Sequence, residues 1–471
     1  MGFVINRPYF SRIFLNSHQI RRIGFGLWCA VLLLPNWVPS LTVLADASPA
    51  PVRMLVNQPV SEYKLRRQKL MDQTRDGIVV LIGNLDEGNG IDTKFRQNDN
   101  FLYLTGVETP GAYLILVPDG YQGAKELLFI PPRNPNQERW TGPQIGPGEE
   151  AARLFNIDRV LSSSDFYRVL YDITNAEFRN DWKKLYTIDF GNGAKFTRER
   201  EFTDTLRQTL YNLQIVDVNS KIGEMRRIKT APEIALLQKA IEITGEAQRD
   251  AAQRLAPGRY EFELEALIIG AFLRHGAERA GFPCIVGSGV YSTILHYNKN
   301  RKQIDDGDTV VIDIGAEYSQ YTADITRTYP ANGKFTKRQR ELYELVLAAQ
   351  EEATKGFKPG QTTINDLNRV VRDFFHKSPL RGGNNLPMDY FFIHGLTHYL
   401  GMNVHDVGDI SAPLSPGTVI TIEPGLYIPD EKIGIRIEDD YLVTEKGLEK
   451  LSKNIPSQPD EIERLMAENP K

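Results

Sequence analysis

The chain of 471 residues has little cysteine, little excess charge of either sign and no long uninterrupted apolar segment. Its only cysteines are Cys29 and Cys284, which excludes a disulfide framework and a zinc–thiolate cluster. There are 56 Lys and Arg against 60 Asp and Glu, so a basic field is absent and a nucleic-acid partner is not expected. The 41% of hydrophobic residues is typical of a globular protein with roughly two or three domains.

A signal peptide is predicted over residues 1–45. Arg21 and Arg22 precede an apolar run over residues 23–34, and Ala45 ends a short segment of the kind that signal peptidase cleaves. The run is about a dozen residues, whereas a membrane-spanning helix needs ~20. We therefore expect an exported protein, periplasmic or secreted. A longer, proline-interrupted anchor that is retained in the membrane is the alternative.

The rest of the chain is interpreted as a linker over residues 46–60, an N-terminal α/β domain over 61–220 and a C-terminal domain over 221–471. Thr230 is predicted to cap a long amphipathic helix at the start of the second domain.

Apolar periodicity predicts the elements of the first domain. It indicates a basic helix over residues 64–73 and a buried strand over 77–83. Further strands are predicted over residues 101–105, 113–117 and 126–130.

Two aspartates interrupt apolar strand patterns in the C-terminal half. Asp313 lies in the run TVVIDIGA and Asp324 in the run YTADITRT. If the two runs pair as a hairpin turning at Tyr318-Ser319, Asp313 is expected directly opposite Asp324. Two carboxylates that close repel each other, so the pair requires a proton or a cation between them.

Three histidines lie in the segment HGLTHYLGMNVHD, at His394, His398 and His405. The spacing of the first two resembles that of a zinc-protease helix. Gly395 stands where that motif requires glutamate, so a zincin is excluded. The glycines of this segment are instead expected to let the backbone pack closely against another element.

Two glutamates end further apolar strand patterns. Glu423 follows the run TVITI, and Glu438 follows IGIRI with Arg436 on the same strand face. An unpaired charge at such a position would be costly. A salt bridge from Arg436 accounts for one of the acids, but not for all four carboxylates.

The donor set indicates a class of metal. Four carboxylates and one imidazole can neutralise two divalent ions, and hard Mn²⁺ suits oxygen ligands better than an ion that prefers thiolate. Two such ions about 3.5–4 Å apart would hold a bridging hydroxide and polarise a carbonyl oxygen. This chemistry is metal-assisted hydrolysis.

These motifs, in this order, resemble the Xaa-Pro aminopeptidase (aminopeptidase P) family of the creatinase, prolidase and methionine aminopeptidase group. The resemblance rests on Asp313, DITRT from Asp324, HGxxH from His394, EPGLY from Glu423 and RIEDD from Arg436. It covers about residues 60–466 and is looser in the N-terminal half. It implies an α/β (α+β) fold, with a C-terminal pita-bread metallopeptidase domain preceded by a smaller α/β domain.

The resemblance also implies the ligands of a dinuclear manganese site. These would be Asp313, Asp324, His398, Glu423 and Glu438. Asp324 and Glu438 would bridge the two ions, and Glu423 would also act as general base.

The remaining motif residues are implied to act on the substrate. His296, His394 and His405 would line the pocket, stabilise the tetrahedral intermediate and assist proton transfer to the proline nitrogen. Arg436 and Tyr427, together with His394, would form walls of the proline-side pocket.

The implied activity is release of the N-terminal residue from peptides with proline in the second position, by a dimer or tetramer of this chain. A prolidase, which hydrolyses Xaa-Pro dipeptides, is the nearest alternative, because Arg436 could also read a free carboxylate. The alternative from another class is a metal-free pita-bread binding module, which predicts broken ligand motifs. All five ligand positions are intact, which disfavours it.

Overall fold

The computed structural model describes residues 58–86, 94–175, 183–189, 197–210 and 212–468. The predicted signal peptide and Cys29 lie outside the described residues. Among the helices that are described, none is both long and apolar enough to cross a bilayer.

The first part of the described chain builds a six-stranded mixed sheet with the order β4-β3-β2-β1-β5-β6. Strand β2 pairs antiparallel with both β1 and β3. The pairs β3–β4, β1–β5 and β5–β6 are parallel. The elements are α1 (Val60–Asp72), β1 (Gly77–Ile82), α2 (Asp99–Thr105), β2 (Tyr113–Tyr121), β3 (Ala124–Ile130), α3 (Pro135–Thr141), α4 (Glu149–Phe155), β4 (Arg159–Ser162), α5 (Phe166–Thr174), β5 (Lys184–Thr187), α6 (Arg198–Thr209) and β6 (Gln214–Asp217).

Strand β1 shows why this sheet is buried on both faces. Val79 and Leu81 belong to the main hydrophobic core, whereas Ile78, Val80 and Ile82 belong to a second core on the opposite face. This division follows from the alternation of side chains along a strand. The predicted buried strand is confirmed.

The strand predicted over residues 101–105 is wrong, because these residues belong to helix α2. Asn98 caps the helix by accepting a hydrogen bond from Phe101 N at 3.1 Å, and Gly106 ends it with a φ of 66°. A short apolar run does not distinguish helix from strand by its period alone. The two cap residues decide the conformation here.

The second part of the described chain forms four small antiparallel sheets, with helices packed against them. Strand orders are β11-β10-β7, β12-β9-β8, β13-β16-β17 and β14-β15. The elements are α7 (Asn219–Arg227), α8 (Ala231–Arg254), α9 (Glu261–Arg274), β7 (Arg279–Ala280), β8 (Ile285–Ser288), β9 (Thr309–Ile314), β10 (Ala316–Tyr318), β11 (Tyr321–Thr322), β12 (Ile325–Pro330), α10 (Lys337–Lys355), α11 (Ile364–Lys377), β13 (Val419–Ile422), β14 (Gly425–Ile428), β15 (Ile433–Arg436), β16 (Asp439–Thr444), β17 (Gly447–Lys450) and α12 (Pro459–Ala467).

Helix α8 begins where the sequence predicts. Thr230 is its N-cap, and the Thr230 backbone N–H donates to Glu233 Oε2 at 2.9 Å. Such reciprocal capping satisfies donors that the first helical turn leaves open. The helix packs against β10, β11 and β12, and so supports the strands that precede and follow Asp324.

The predicted hairpin exists, but its predicted register is wrong. The turn lies at Ser319 and Gln320, both with positive φ, and Asp313 pairs with Thr326 rather than with Asp324. Such a two-residue turn with left-handed residues matches the twist of an antiparallel pair. Because the register error is two residues, side chains keep their face, and Asp324 remains within hydrogen-bonding reach of Asp313.

Candidate metal centre

The four predicted carboxylates lie at or near strand ends of three small sheets. Asp313 is in β9 and Asp324 directly precedes β12, Glu423 directly follows β13, and Glu438 lies between β15 and β16. Asp313, Asp324 and Glu438 are 7%, 5% and 2% exposed. The strands therefore bring acids that are distant in sequence into one buried cluster.

His398 joins this cluster from a segment without regular structure. The segment runs alongside β13, because Thr421 N donates to His398 O and Leu400 N donates to Val419 O, both at 3.0 Å. The expected close packing holds at Gly401, where a Cβ would collide with the Asp406 carboxylate. It is wrong for Gly395, where a Cβ would meet only Asn368 at 4.0 Å.

The His398 ring presents its Nε2 atom to three carboxylates. The distances are 3.4 Å to Asp324 Oδ2, 3.5 Å to Glu423 Oε1 and 4.0 Å to Glu438 Oε1. Its Nδ1 atom lies 3.1 Å from Tyr399 O, which assigns the ring proton to Nδ1. With Nδ1 directed at this carbonyl, Nε2 faces carboxylate oxygens only, an arrangement that suits a metal ion bound between them.

The acids repel one another in the absence of a cation. Burial raises the pKa of Asp324 well above its usual value, and the neighbouring Asp313 raises it further. Burial and the Glu438 charge do the same to Glu423, and burial and the Asp324 charge to Glu438. The Oδ1 atoms of Asp313 and Asp324 are buried without a hydrogen-bond partner. Such atoms are costly unless a ligand satisfies them.

These observations fit a divalent-metal site. A ring nitrogen of His398 and one carboxylate oxygen each of Asp324 and Glu438 lie within 4.8 Å of one another. Asp313 and Glu423 adjoin this trio, through Asp324 and His398 respectively. The structure thus brings together all five predicted ligands, with oxygen as the predominant donor.

Arg436 is a buried cation whose guanidinium contacts a carboxylate of this cluster. Its Nη2 donates to Asp313 Oδ2 at 2.6 Å, its Nε to Thr326 Oγ1 at 3.1 Å and its Nη1 to the Tyr427 hydroxyl at 2.9 Å. Nη2 also donates to Leu295 O at 3.3 Å. Four of the five guanidinium N–H groups therefore have partners within the protein.

His394 and Tyr427 continue this hydrogen-bonded chain. The Tyr427 hydroxyl lies 2.8 Å from His394 Nε2, and His394 Nδ1 lies 2.7 Å from Gly395 O. Burial and the Arg436 charge lower the pKa of His394 to about 3, so its ring is neutral at physiological pH. With Nδ1 donating to the carbonyl, Nε2 accepts the tyrosine proton.

His405 and His296 lie on the open side of the cluster. The His405 ring contacts that of His398 at a centroid distance of 4.5 Å. His296 is exposed, and its charge is felt at both His394 and His405. His394 and His405 are near enough to Asp313 for its charge to act on them, but among the predicted histidines only His398 presents a ring nitrogen to three carboxylates.

Sequence reasoning missed two residues that support the site. Thr326 is fully buried and donates its hydroxyl to Glu438 Oε2 at 2.6 Å, while accepting from Arg436. Asp440 accepts from Asp324 N at 3.2 Å, and its other oxygen is buried without a partner. The alternation of side chains along β12 places Thr326 on the same face as Asp324, which is the signal that could have revealed it.

Asp439, which follows Glu438 in the sequence, forms salt bridges away from the carboxylate cluster. It is fully buried and forms a salt bridge with Arg327 at 2.7 Å, so it stabilises the strands rather than the cluster. Burial alone would raise the pKa of Asp439, but Arg327 and Lys450 hold it below its usual value.

The fold and this donor set define a metallopeptidase, and sequence comparison agrees. Residues 235–445 match the profile of metallopeptidase family M24, and residues 63–180 match that of the aminopeptidase P N-terminal domain. The two matches correspond to the second and first parts of the fold. The α/β architecture with a C-terminal pita-bread domain is thereby confirmed.

Comparison with whole proteins makes the assignment more specific. The Xaa-Pro aminopeptidase of Escherichia coli K12 is 37% identical over 432 residues, covering 86% of this chain and 97% of that protein. Human Xaa-Pro aminopeptidase 3 is 32% identical, covering 86% of each chain. The chain belongs to the aminopeptidase P family.

Solved structures give the same result. E. coli aminopeptidase P with the inhibitor Pro-Leu is similar at a TM-score of 0.78 and 35% identity, covering 87% of this chain and 98% of that one. Proline aminopeptidase P II of Yersinia pestis is similar at a TM-score of 0.76 and 35% identity, covering 87% and 100%.

Proposed function

We propose that this chain is a metal-dependent aminopeptidase that releases the N-terminal residue from peptides whose second residue is proline. The observation that carries the proposal is the cluster of three carboxylates, Asp324, Glu423 and Glu438, around the His398 Nε2 atom, with Asp313 beside Asp324. The E. coli and human proteins that the chain matches over most of their length are Xaa-Pro aminopeptidases.

The cofactor we propose is a pair of divalent ions, with Mn²⁺ favoured by the oxygen-rich donor set. Asp313, Asp324, His398, Glu423 and Glu438 would hold them. When bound, such ions activate water and polarise the substrate carbonyl.

The protein's own groups would then handle the protons. The Glu423 carboxylate is the least buried of the four, with its side chain 15% exposed, so it can accept a proton from the attacking water. His405 and His296 lie on the open side, where a departing proline nitrogen must be protonated. Because an amide nitrogen leaves as an amine only once it is protonated, release of the proline depends on such a proton donor.

Arg436, Tyr427 and His394 are proposed as the wall on the proline side. Their mutual hydrogen bonds fix the wall before substrate binds, which reduces the entropy cost of binding. The same bonds disfavour a prolidase, because a guanidinium with four of five N–H groups engaged has little capacity to grip a dipeptide carboxylate.

The test measures product release from Xaa-Pro, Xaa-Pro-Xaa and Xaa-Ala-Xaa, using chelated protein with and without Mn²⁺. We expect metal-dependent cleavage of the proline tripeptide alone. Preference for the dipeptide would identify a prolidase instead. Absence of cleavage with metal bound would favour a binding module.

We also propose that the protein is exported and that it forms a dimer or tetramer. Mass spectrometry of the mature N-terminus tests the first statement, with cleavage after Ala45 expected. Light scattering on the purified protein tests the second, and a monomeric mass would contradict it.

A further inference from the structure

A surface cleft of about 500 Å³ adjoins the metal-binding cluster, on the segment between β8 and β9. His296 lines the cleft, and its charge reaches His394 and His405. The preceding carbonyl, Leu295 O, accepts from the same Arg436 guanidinium that binds Asp313. The wall of the cleft is therefore joined to the proposed metal site through Leu295 and Arg436.

The cleft wall is held in one conformation by a buried carboxylate. Glu261, fully buried at the start of α9, accepts hydrogen bonds from the Ser288 backbone and hydroxyl, from the Tyr297 hydroxyl and from Lys302 N, at 2.7–2.9 Å. Asn300 is likewise fully buried and bonds to backbone groups at the start of β8. A wall fixed in this way is prepared for a ligand.

The lining of the cleft combines apolar and cationic side chains. The Tyr291 and Tyr297 rings stack at 4.6 Å, and Ile294 beside them is 48% exposed. Lys299 and Arg301 are exposed, on either side of the anchored Asn300.

Among the described residues, no acid pairs with either of these two cations. Lys302 also lines the cleft, but its ammonium pairs with Asp305 and Asp308 at 2.8 and 2.6 Å. Within the described part of the chain, neither Lys299 nor Arg301 forms a salt bridge, and no Asp or Glu belongs to the lining. The cleft thus carries a net positive charge.

We propose that this cleft binds the part of the substrate that follows the proline, and that Lys299 and Arg301 give it a preference for a carboxylate there. The inference rests on the proposed aminopeptidase activity and adds a substrate class to it: peptides that are acidic after the proline.

Charge determines which end of the peptide the cleft can take. The N-terminal residue of an aminopeptidase substrate carries an ammonium group, which Lys299 and Arg301 would repel. The part after the proline is the part that leads to the α-carboxylate, and it can also carry Asp or Glu. The two tyrosine rings and Ile294 offer an apolar surface for its backbone and side chains.

The experiment compares kcat/KM for a peptide series on the manganese-loaded full chain. All peptides share the first residue and the proline. The third residue is neutral with a C-terminal amide, neutral with a free carboxylate, glutamate with an amide, or lysine with an amide. A second series moves the glutamate to the fourth and fifth positions. The free acid and the glutamate amide distinguish an α-carboxylate from an acidic side chain as the bound group.

We expect kcat/KM for the acidic peptides to exceed that for the neutral amide by about two- to fivefold, as an exposed charge pair allows. The preference should fall as salt is raised through the range where the Debye length shortens to a few ångströms. The double variant Lys299→Glu/Arg301→Glu should reverse it in favour of lysine, by about tenfold in the ratio of acidic to lysine peptide. The conservative variant Lys299→Arg/Arg301→Lys should retain it.

Lys446→Glu is the matched control, because Lys446 is exposed at the turn between β16 and β17 and outside the cleft. It should leave the ratio as in the wild type. Equal kcat/KM for all proline peptides, or a ratio that survives the double reversal, would overturn the cleft assignment alone. Absence of proline-peptide cleavage would instead overturn the proposed function.

Discussion

Replacement of Asp406 by asparagine should destabilise the protein far more than loss of a surface salt bridge. The Asp406 side chain is 1% exposed and contacts Arg226 at 2.6 Å and Lys229 at 3.2 Å, which are 4% and 1% exposed. It directly follows His405, and its backbone N–H donates to Tyr399 O at 2.9 Å. These two salt bridges therefore connect α7 and the residue before the cap of α8 to the segment that carries the predicted site histidines.

The magnitude follows from burial. Removing one partner of a buried pair leaves an uncompensated charge and costs about 3–5 kcal/mol. Unfolding entropy of ~2.1 cal/mol/K per residue amounts to about 1 kcal/mol per degree for a chain of 471 residues. We therefore expect the melting temperature of Asp406→Asn to fall by about 3–5 °C at pH 7, measured by calorimetry on the metal-loaded protein.

The effect has a defined pH dependence. Burial would raise the pKa of Asp406, but the Lys229 and Arg226 charges outweigh burial and hold it below its usual value. A carboxyl whose pKa is depressed in the folded state stabilises above its unfolded pKa of about 3.9, and this stabilisation is lost as the pH falls through the folded value. The difference between variant and wild type should thus be complete at pH 7 and shrink below about pH 4.

An exposed pair provides the control. Arg75 and Asp72 lie 2.6 Å apart, but their side chains are 76% and 66% exposed. Asp72→Asn should change the melting temperature by less than about 1 °C, because surface pairs are worth little. The assigned role of the buried salt bridges would be refuted if the melting temperature of Asp406→Asn fell no further than that of Asp72→Asn. It would also be refuted if the difference in melting temperature between Asp406→Asn and the wild type did not diminish in acid.

Three further predictions concern the metal centre and its surroundings. Glu423→Gln should remain folded and lose almost all turnover, since the amide cannot accept a proton. Near-normal activity would contradict the role of Glu423 as general base. Glu445→Gln, at an exposed position, is the control. Asp313→Asn should lower the bound metal measured by elemental analysis, and an unchanged stoichiometry would remove Asp313 from the ligand set. Burial raises the pKa of Glu278 to about 7, so folding stability should fall as the pH rises from about 4.5 to 7. In Glu278→Gln the melting temperature should decline less over this pH range than in the wild type. Identical pH profiles of the two proteins would refute the raised pKa of Glu278.

The sequence predicted the metal centre better than the elements around it. Each of the four acids interrupts or ends an apolar strand pattern, where an unpaired charge would be costly, so the pattern itself marked the acids. The motif order then identified the family, and the structure brings all five residues together. Their individual roles remain predictions.

Local errors arose where the decisive information was outside the hydrophobic pattern. Residues 101–105 are apolar enough for either a strand or a helix, and the caps Asn98 and Gly106 decide for the helix. The hairpin register depended on which residues adopt positive φ, and these are Ser319 and Gln320 rather than Tyr318 and Ser319. The preference of Asn98 and Gly106 for helix ends, and that of Ser319 and Gln320 for positive φ, is too weak to predict the structure without the neighbouring strands.

Supporting residues were harder to predict for another reason. Thr326, Asp406 and Asp440 act through partners that lie far away in the chain, such as Arg226 for Asp406. Their importance follows from packing, which a motif does not contain.

The crowding of Asp313, Asp324 and Glu438 has a consequence for the lifetime of the polypeptide. Without a metal ion, the mutual repulsion of these carboxylates in an apolar interior lowers the stability of the folded protein. With an ion bound, the same carboxylates attract it, and this attraction exists only in the folded protein. An ion at 100 times its dissociation constant adds about 2.7 kcal/mol to stability. We therefore expect metal supply to govern the stability of the native protein as well as its rate, so that chains without metal unfold before chains that carry it.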